Sequence, residues 1–525
     1  MPGTRDHDPY VIEDFAGWWQ RGDPESAPSD HFIQADNVQY VHSGCETRDG
    51  LNKYLNIIPP LAFGVRRVYN YVTQKGQSVI MMIDGGKIYH IADPNAALPS
   101  PILTIPAMED FGFVAINGRA YITPFKTYTN PTGERYQLGI QNEFLYVYNG
   151  DQTPARKAAG DGPPKTPAVT VTQAGTPATT DDGPHLFAVV YETDTGYLTA
   201  PGAYSPIFSM DGSHQITISG IPVSPNAYVK KRHIVATKMI PSYNGDPQGY
   251  QFFFIPGATL NDNTTTTWTG DFFDSDLISD ASHLIDNFSE IPAGVNLNTY
   301  HSRLVIVGEY GTTETLTGLP PGITDNRSVA RVSAPGEPES ISKVDGLIIA
   351  PLDGNPLTNV QEFRDVLYLF KKTRTFSYSD NYDVPSSWQE EVLDQGIGAP
   401  VHGIATVLDT GGVNIDFLLI VDWSGLMLFN GTYSQPEMSW KIESFWRGLD
   451  RNSFNAVQIV NDSINKKVWI TLPDPNRNYL LHANYANGMN AKEIRWARWK
   501  FDAIIYTIAL IETDRLIIGA VRQGT

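Results

Sequence analysis

The sequence predicts an all-β protein: a β-propeller of about six or seven blades carrying an inserted β-sandwich domain of fibronectin or immunoglobulin type. Three observations predict it. No helical spacing of apolar residues is sustained over any long window. The 525 residues include 45 Gly, 37 Pro and 11% aromatics, a composition that favours turns and strands. Short apolar runs divided by tight turns recur about every fifty residues, close to the period of a propeller blade.

The repeating unit is plainest in Asp416 to Gly431, DFLLIVDWSGLMLFNG. Phe417 to Val421 and Leu426 to Phe429 are too short for helices. They flank the turn Asp422-Trp423-Ser424-Gly425, and Asn430-Gly431 ends the returning strand. Continuous apolar runs mean strands buried on both faces. Small sheets stacked around an axis give each strand a neighbour above and below.

Taken in order, residues 1–30 form an extended arm around one apolar knot, Phe15 with Trp18 and Trp19. Such a segment either tucks onto its own body or tethers a neighbouring subunit. Residues 31–150 hold starter strands and about two blades, beginning with Phe32 to Leu55 and its tight corner Arg48-Asp49-Gly50-Leu51. Val68 to Val72, Val79 to Ile83 and Ile88 to Ile91 follow, the last two joined by the hairpin signal Asp84-Gly85-Gly86-Lys87. Phe113 to Ile116 and Ala120 to Thr123 are joined across Asn117-Gly118-Arg119, with Phe144 to Tyr148 next. Residues 151–166, rich in Pro, Ala, Gly and Lys, read as a linker into the sandwich at 167–285.

Residues 286–525 resume the blade rhythm and carry the ring to closure. The strands are Arg303 to Gly308, Val366 to Phe370 with Thr375 to Tyr378, the hairpin above, Val457 to Val460 with Lys467 to Leu472, and Ile504 to Ile511 with Leu516 to Val521. The chain stops soon after Val521, so a strand from the N-terminal region is expected to complete the last blade and remove an exposed edge.

A net charge of -19 and a pI of about 4.9 oppose a broad electrostatic grip on nucleic acid. The single Cys45 leaves no internal disulfide and suits synthesis in a reducing cytoplasm. With no apolar signal core and no long apolar run, neither secretion by the usual route nor a membrane span is expected.

No catalytic centre is predicted. The 57 acidic residues fall mostly in turns, where Asp is expected for local backbone bonds; Asp422 reads as a turn residue rather than a glycosidase acid or base. The repeated Ser-x-Asp-x-Gly-x-x-Trp turn of sialidase-type propellers has only a shifted counterpart, Ser209-Met210-Asp211-Gly212, inside the insert. The 11 His show no H-x-H or H-E-x-x-H spacing, so neither a metal centre nor a cofactor is expected. Ser379 to Asp383 and Asn261-Asp262-Asn263 read as ordinary turns rather than Ca²⁺ loops. The basic groups Arg66-Arg67, Lys230-Lys231-Arg232 and Lys371-Lys372 with Arg374 read as solvated strand ends, and Arg495 to Lys500 as a strand with one buried Trp face.

Several stretches resemble the tail nozzle, or tail hub and stabilisation, proteins of short-tailed bacteriophages. Asp36-Asn37, Gly44 and Thr47-Arg48-Asp49-Gly50-Leu51 are similar to that family's opening, with Asp49 where Pro is usual. Val366 to Tyr378 resembles its blade pattern, and Gly396-Ile397-Gly398 leads into the hairpin with Asp422, Gly425 and Gly431. Ser444 to Leu449, Val468 to Ile470 and a sandwich inserted after the first blades extend the likeness.

The resemblance implies a non-enzymatic virion structural protein of the tail, assembled in the host cytoplasm. It implies a homo-hexameric ring that continues the portal and adaptor channel, retains packaged DNA and conducts it during ejection. Its implied partners are the head-to-tail adaptor ring above and tail fibres, spikes or a needle around or below. Six copies would place six times a charge of -19 about one axis, and an acidic lumen lets DNA pass without sticking. The main alternative is a glycan-binding or glycan-hydrolysing propeller, with Trp423 or Trp388 lining a sugar-binding mouth.

Overall fold

A computed structural model describes residues 17–18, 31–32, 36–41, 44–47 and 64–522, apart from 152, 161–168, 241–250, 312–315, 317–318, 321–322, 324–325, 410–413, 474–477 and 512–514. The first blade is the antiparallel sheet Arg67–Val72, Ser78–Asp84, Lys87–Ile91 and Leu103–Thr104. The second has Asp110–Ile116, Arg119–Thr129, Tyr146–Tyr148 and Arg156–Lys157. Beyond the insert, the third has Asn296–Tyr300, Arg303–Val307, Val329–Ala334 and Glu337–Ile341, and the fourth Leu357–Phe363, Val366–Lys371, Thr375–Ser379 and Gln389–Asp394. The fifth is Ile404–Leu408, Ile415–Asp422 and Gly425–Phe429, extended where Ser434 and Met438 donate their N–H groups to the carbonyls of Leu428 and Leu426 at 2.8 Å. The sixth holds Ile459–Asp462, Lys467–Thr471, Tyr479–Asn484 and Arg495–Lys500; the seventh pairs Ala503–Ile511 with Arg515–Arg522.

The hairpin that opened the sequence argument shows why the sheets stack. Leu418 and Ile420 pack with Phe363, Tyr368 and Phe370 of the fourth blade. Their alternates, Leu419 and Val421, pack with Val468, Ile470 and Trp496 of the sixth. Successive side chains of a strand point to opposite faces, so one apolar run serves two interfaces. Each such side chain contributes about 1.5–3 kcal/mol by its burial.

The ring closes where Ala503–Ile511 lies beside Arg67–Val72, and Ala509 and Ile511 share an apolar cluster with Val68, Ile80 and Tyr89. Among the described residues the seventh sheet holds only these two strands, and most of the N-terminal region from which a completing strand is expected lies outside the described residues. Asp36 bridges in parallel to Arg498, and Asn37 donates its N–H to the Arg498 carbonyl at 2.8 Å. Trp499 Nε1 donates to the Val38 carbonyl at 3.0 Å. The N-terminal segment thus extends the outer edge of the sixth blade, and the seventh is closed by side-chain packing of inner strands.

His482, on the third strand of the sixth blade, is fully buried with both ring nitrogens unbonded, stacked on Trp469 at 4.2 Å. Burial pushes its pKa down to about 3, with Lys467 adding to the shift. The unfolded chain takes up this proton first, at the ordinary value of about 6.5. The group therefore costs stability progressively as pH falls from that value towards 3. His482→Leu is expected to flatten the melting profile across this window and to leave the melting temperature at pH 7 equal or higher, because two buried unbonded nitrogens are removed. Thermal scans from pH 4 to 8 check this.

Between the second and third blades lies the insert. Thr170–Pro177, His214–Ser219 and Thr267–Gly270 form one sheet, and Phe187–Thr193, Val229–Thr237 and Phe252–Leu260 another. Phe187, Val189, Ile216, Ile218 and Ile234 belong to one core cluster between them. Its turn at Asp194 is fastened to the propeller by Arg156, whose guanidinium bonds Asp194 at 2.8 Å and Glu339 of the third blade at 3.0 Å. Tyr197 adds a bond from its hydroxyl to the Phe288 carbonyl at 2.6 Å. No helix among the described residues is long and apolar enough to cross a membrane.

Candidate functional site

The seven innermost strands surround a cavity of about 470 Å³ on the propeller axis. Its polar lining is mainly amide, and those amides stitch adjacent blades. Asn296 Nδ2 donates to Asn359 Oδ1 at 3.0 Å and to the Val401 carbonyl at 2.9 Å; Asn359 Nδ2 in turn reaches Pro400 and Val401. Asn298 bonds Gln361 at 3.2 Å. Gln458 donates to the Ile508 carbonyl at 2.7 Å and accepts from Thr507 and Ile508, tying blade six to blade seven. Amides suit a narrow axis because each offers donor and acceptor without the cost of burying a charge.

One pole of this cavity is covered. The strand Arg119–Thr129 runs past its partner Asp110 and turns back as Arg135–Gly139. That hairpin reaches across the ring: Glu134 pairs with Lys372 of the fourth blade at 2.6 Å, and Asn455, ahead of the sixth, donates to the Arg135 carbonyl at 2.8 Å. Tyr128 stacks on Tyr310 at 4.2 Å. At the same end Arg67, 4% exposed, binds Asp110 with its Nη2 at 2.5 Å, and His402 Nε2 lies 3.4 Å from Asp110. Burial and the Arg67 cation push the His402 pKa down to about 4, so the imidazole is neutral at pH 7.

The structure disperses the residues singled out in the sequence. Asp36 forms an ion pair with Arg498, and Asn37 adopts φ 56° while its Oδ1 accepts from Lys500 N at 2.9 Å. Gly44 opens the strand Gly44–Thr47, paired with Val38–Val41. Trp18 ends the strand Gly17–Trp18; Phe15, Trp19, Arg48, Gly50 and Leu51 lie outside the described residues. Asp422 organises its own turn, accepting from Ser424 N at 2.8 Å and from Gly398 N at 3.2 Å; burial raises its pKa. Gly398 is needed because a Cβ there would meet the Lys371 carbonyl at 2.0 Å. Gly425 abuts Ser439, and Gly431 takes φ 111°.

Two expectations need correction, the second in part. Arg67, Arg232 and Lys371 are not solvated strand ends; all are buried, with Lys371 Nζ bonded to Ser328, Ala350 and Asp353 and Arg232 to Asp262. Arg232 and Lys371 sit where a strand passes beneath a loop whose carbonyls and carboxylate need a donor, and Arg67 pairs with Asp110 at the start of the neighbouring blade. Of the aromatics offered for a sugar-binding mouth, Trp388 is buried away from any opening, while Trp423 lines a cavity of about 320 Å³ with Pro400 and Arg451. Trp388 is 5% exposed, and Trp423 carries the Arg451 guanidinium on its face at 4.1 Å.

Sequence spacing gave no hint of a cluster at the opposite rim. His301 and Asp365 lie on turns of the third and fourth blades and Glu362 near the end of the strand Leu357–Phe363, with one ligand atom of each within 4.8 Å of the others. Single residues some sixty positions apart carry no recognisable motif.

No family model matches the chain, and no curated protein matches it. Among solved structures, Kluyveromyces lactis Hsv2 is 12% identical, with 83% of this chain and 97% of that one covered, at a TM-score of 0.26. AztD from Citrobacter koseri is 11% identical over 65% and 99%, at 0.22. An ancestral GH74 enzyme is 9% identical over 88% and 61%, at 0.24. These likenesses carry no argument about activity; the propeller stands on its own sheets.

Proposed function

We propose that this chain is a structural component of a bacteriophage tail, a ring-forming nozzle or hub protein that acts through its outer surfaces. The observation that carries the reading is the narrow axis, covered at one pole. A cavity of about 470 Å³, capped by the 119–139 hairpin and lined by amides already bonded to neighbouring blades, is sized for a small molecule and not for a duplex. Any DNA conduit therefore lies between copies, where the charge of -19 per chain keeps phosphate from adhering. The buried acids Asp110, Glu339 and Asp422 are each committed to bonds that hold blades, insert or turn. The blade motifs and the opening block, which resemble nozzle proteins, support the same reading.

In this reading the ring is hexameric, sits below the adaptor and carries fibres, spikes or a needle. Heterologous interfaces closed by rotation produce such rings. Mass spectrometry of purified virions is expected to find the chain at the copy number of one hexameric ring per particle. Its absence from particles, together with measurable cleavage of host polysaccharide by the purified protein, would establish the glycan-acting alternative instead.

A further inference from the structure

We propose that His301, Glu362 and Asp365 bind one first-row divalent cation, Zn²⁺ by their chemistry, which staples the third blade to the fourth. His301 and Ser302 are the turn residues between Asn296–Tyr300 and Arg303–Val307, with φ of 46° and 62°. Arg364 and Asp365 hold the matching turn of the fourth blade, at 51° and 61°. Two-residue hairpin turns of this hand project their side chains at the strand ends. Here they bring one imidazole and one carboxylate together, and Glu362 near the end of the strand Leu357–Phe363 adds a second carboxylate, with ligand atoms within 4.8 Å of one another. A tetrahedral shell with bonds of about 2.0–2.1 Å sets its ligands roughly 3.4 Å apart, so small side-chain rotations complete it.

The three side chains are not hydrogen-bonded to one another. His301 Nε2 lies 4.0 Å from Asp365 Oδ1, well beyond the range in which an imidazolium bonds a carboxylate.

An independent feature lies behind the imidazole. The Asp380 side chain is 4% exposed, and its Oδ2 faces His301 Nδ1 at 3.8 Å and Arg303 Nε at 3.5 Å without a hydrogen bond to either. A small turn of the ring brings Nδ1 within hydrogen-bond range of this carboxylate, the arrangement found behind metal-ligating histidines. The Nε2 lone pair then points at two carboxylates, an arrangement that repels until a cation enters. Tyr300 holds the parts in place: its ring stacks on His301 at 4.2 Å, its hydroxyl donates to the Asp365 carbonyl at 3.2 Å, and it accepts from Asp380 N at 3.0 Å. One nitrogen with two carboxylates suits Zn²⁺ over the all-oxygen shells of Ca²⁺ and Mg²⁺.

The test uses the full chain, stripped with chelator and titrated with ZnCl₂ by calorimetry, with melting scans alongside. One Zn²⁺ per chain and a raised melting temperature are expected. His301→Asn, which tolerates the left-handed turn, and Glu362→Gln should each weaken binding at least tenfold, and Asp380→Asn about 10–100-fold. Equal melting temperatures in chelator for all four proteins would show the variants folded. Co²⁺ in place of Zn²⁺ should give a visible absorption band that His301→Asn abolishes. Absence of stoichiometric binding by the parent chain overturns the proposal, as does Zn²⁺ binding that survives His301→Asn and Glu362→Gln unchanged.

Discussion

Asp110→Asn is expected to destabilise the propeller by about 3–5 kcal/mol, the cost of leaving a buried charge without its partner. Arg67 is 4% exposed, and Asp110 is the carboxylate that receives its Nε and Nη2. The pair links the first strands of the first two blades beneath the hairpin cap, so the loss falls where the ring is pinned. Chemical unfolding monitored by Trp fluorescence measures it. The double variant Arg67→Met with Asp110→Leu should recover much of the loss, because an apolar pair of similar volume replaces two desolvated charges. Equal losses in the single and double variants would show that packing, not charge pairing, sets the cost.

The same pair has a pH signature. Burial pushes the Asp110 carboxyl up, but Arg67 and His402 outweigh it and hold it well below its ordinary value. Its contribution is fully present above about pH 3.9 and is lost only as pH falls through the lower folded value. His402 acts earlier: its pKa is lowered to about 4 by burial and Arg67, so stability declines as pH drops from about 6.5 towards 4. Asp110→Asn removes the first limb, and a profile identical to the parent below pH 4 would contradict the assignment.

Arg156→Met is expected to have the second large effect, about 3–5 kcal/mol, by stranding Glu339, whose side chain is 2% exposed. Arg156 also holds Asp194 at 2.8 Å, so the insert loses one charged fastening there and keeps that of Arg119 at 3.3 Å, while the sandwich core of Phe187, Val189 and Ile216 is untouched. Hydrogen exchange resolves the two. Protection should fall at the turn between Thr193 and Thr199 and at Ala159, whose N–H binds Glu339 at 2.6 Å, and persist in the fourth to sixth blades. Uniform loss across the whole chain would mean that the contact supports the ring and not the joint.

Much of the fold was legible because its signal is local. The runs Phe417 to Val421 and Leu426 to Phe429 are apolar at every position, and the structure spends alternate residues on two neighbouring blades. The turns at Asp84 to Lys87 and Asn117 to Arg119 also lie where the sequence places them. What stayed hidden depends on contacts between distant segments. The burial of Lys371 follows from Ala350 and Asp353 lying above it, about twenty residues earlier. The hairpin cap at 119–139 continues an ordinary strand, and only its reach to Lys372 and Asn455 reveals a cover. The His301 cluster needs two turns from separate blades. Its residues follow no spacing, so the sequence predicted no metal site there.

Electron microscopy of the purified chain, alone and mixed with the portal and adaptor from the same genome, tests the central claim most directly. The account predicts sixfold rings, with each propeller's own axis too narrow for a duplex, the common channel between copies and the insert as a separate projection. Single propellers that remain monomeric and never join the adaptor would contradict it.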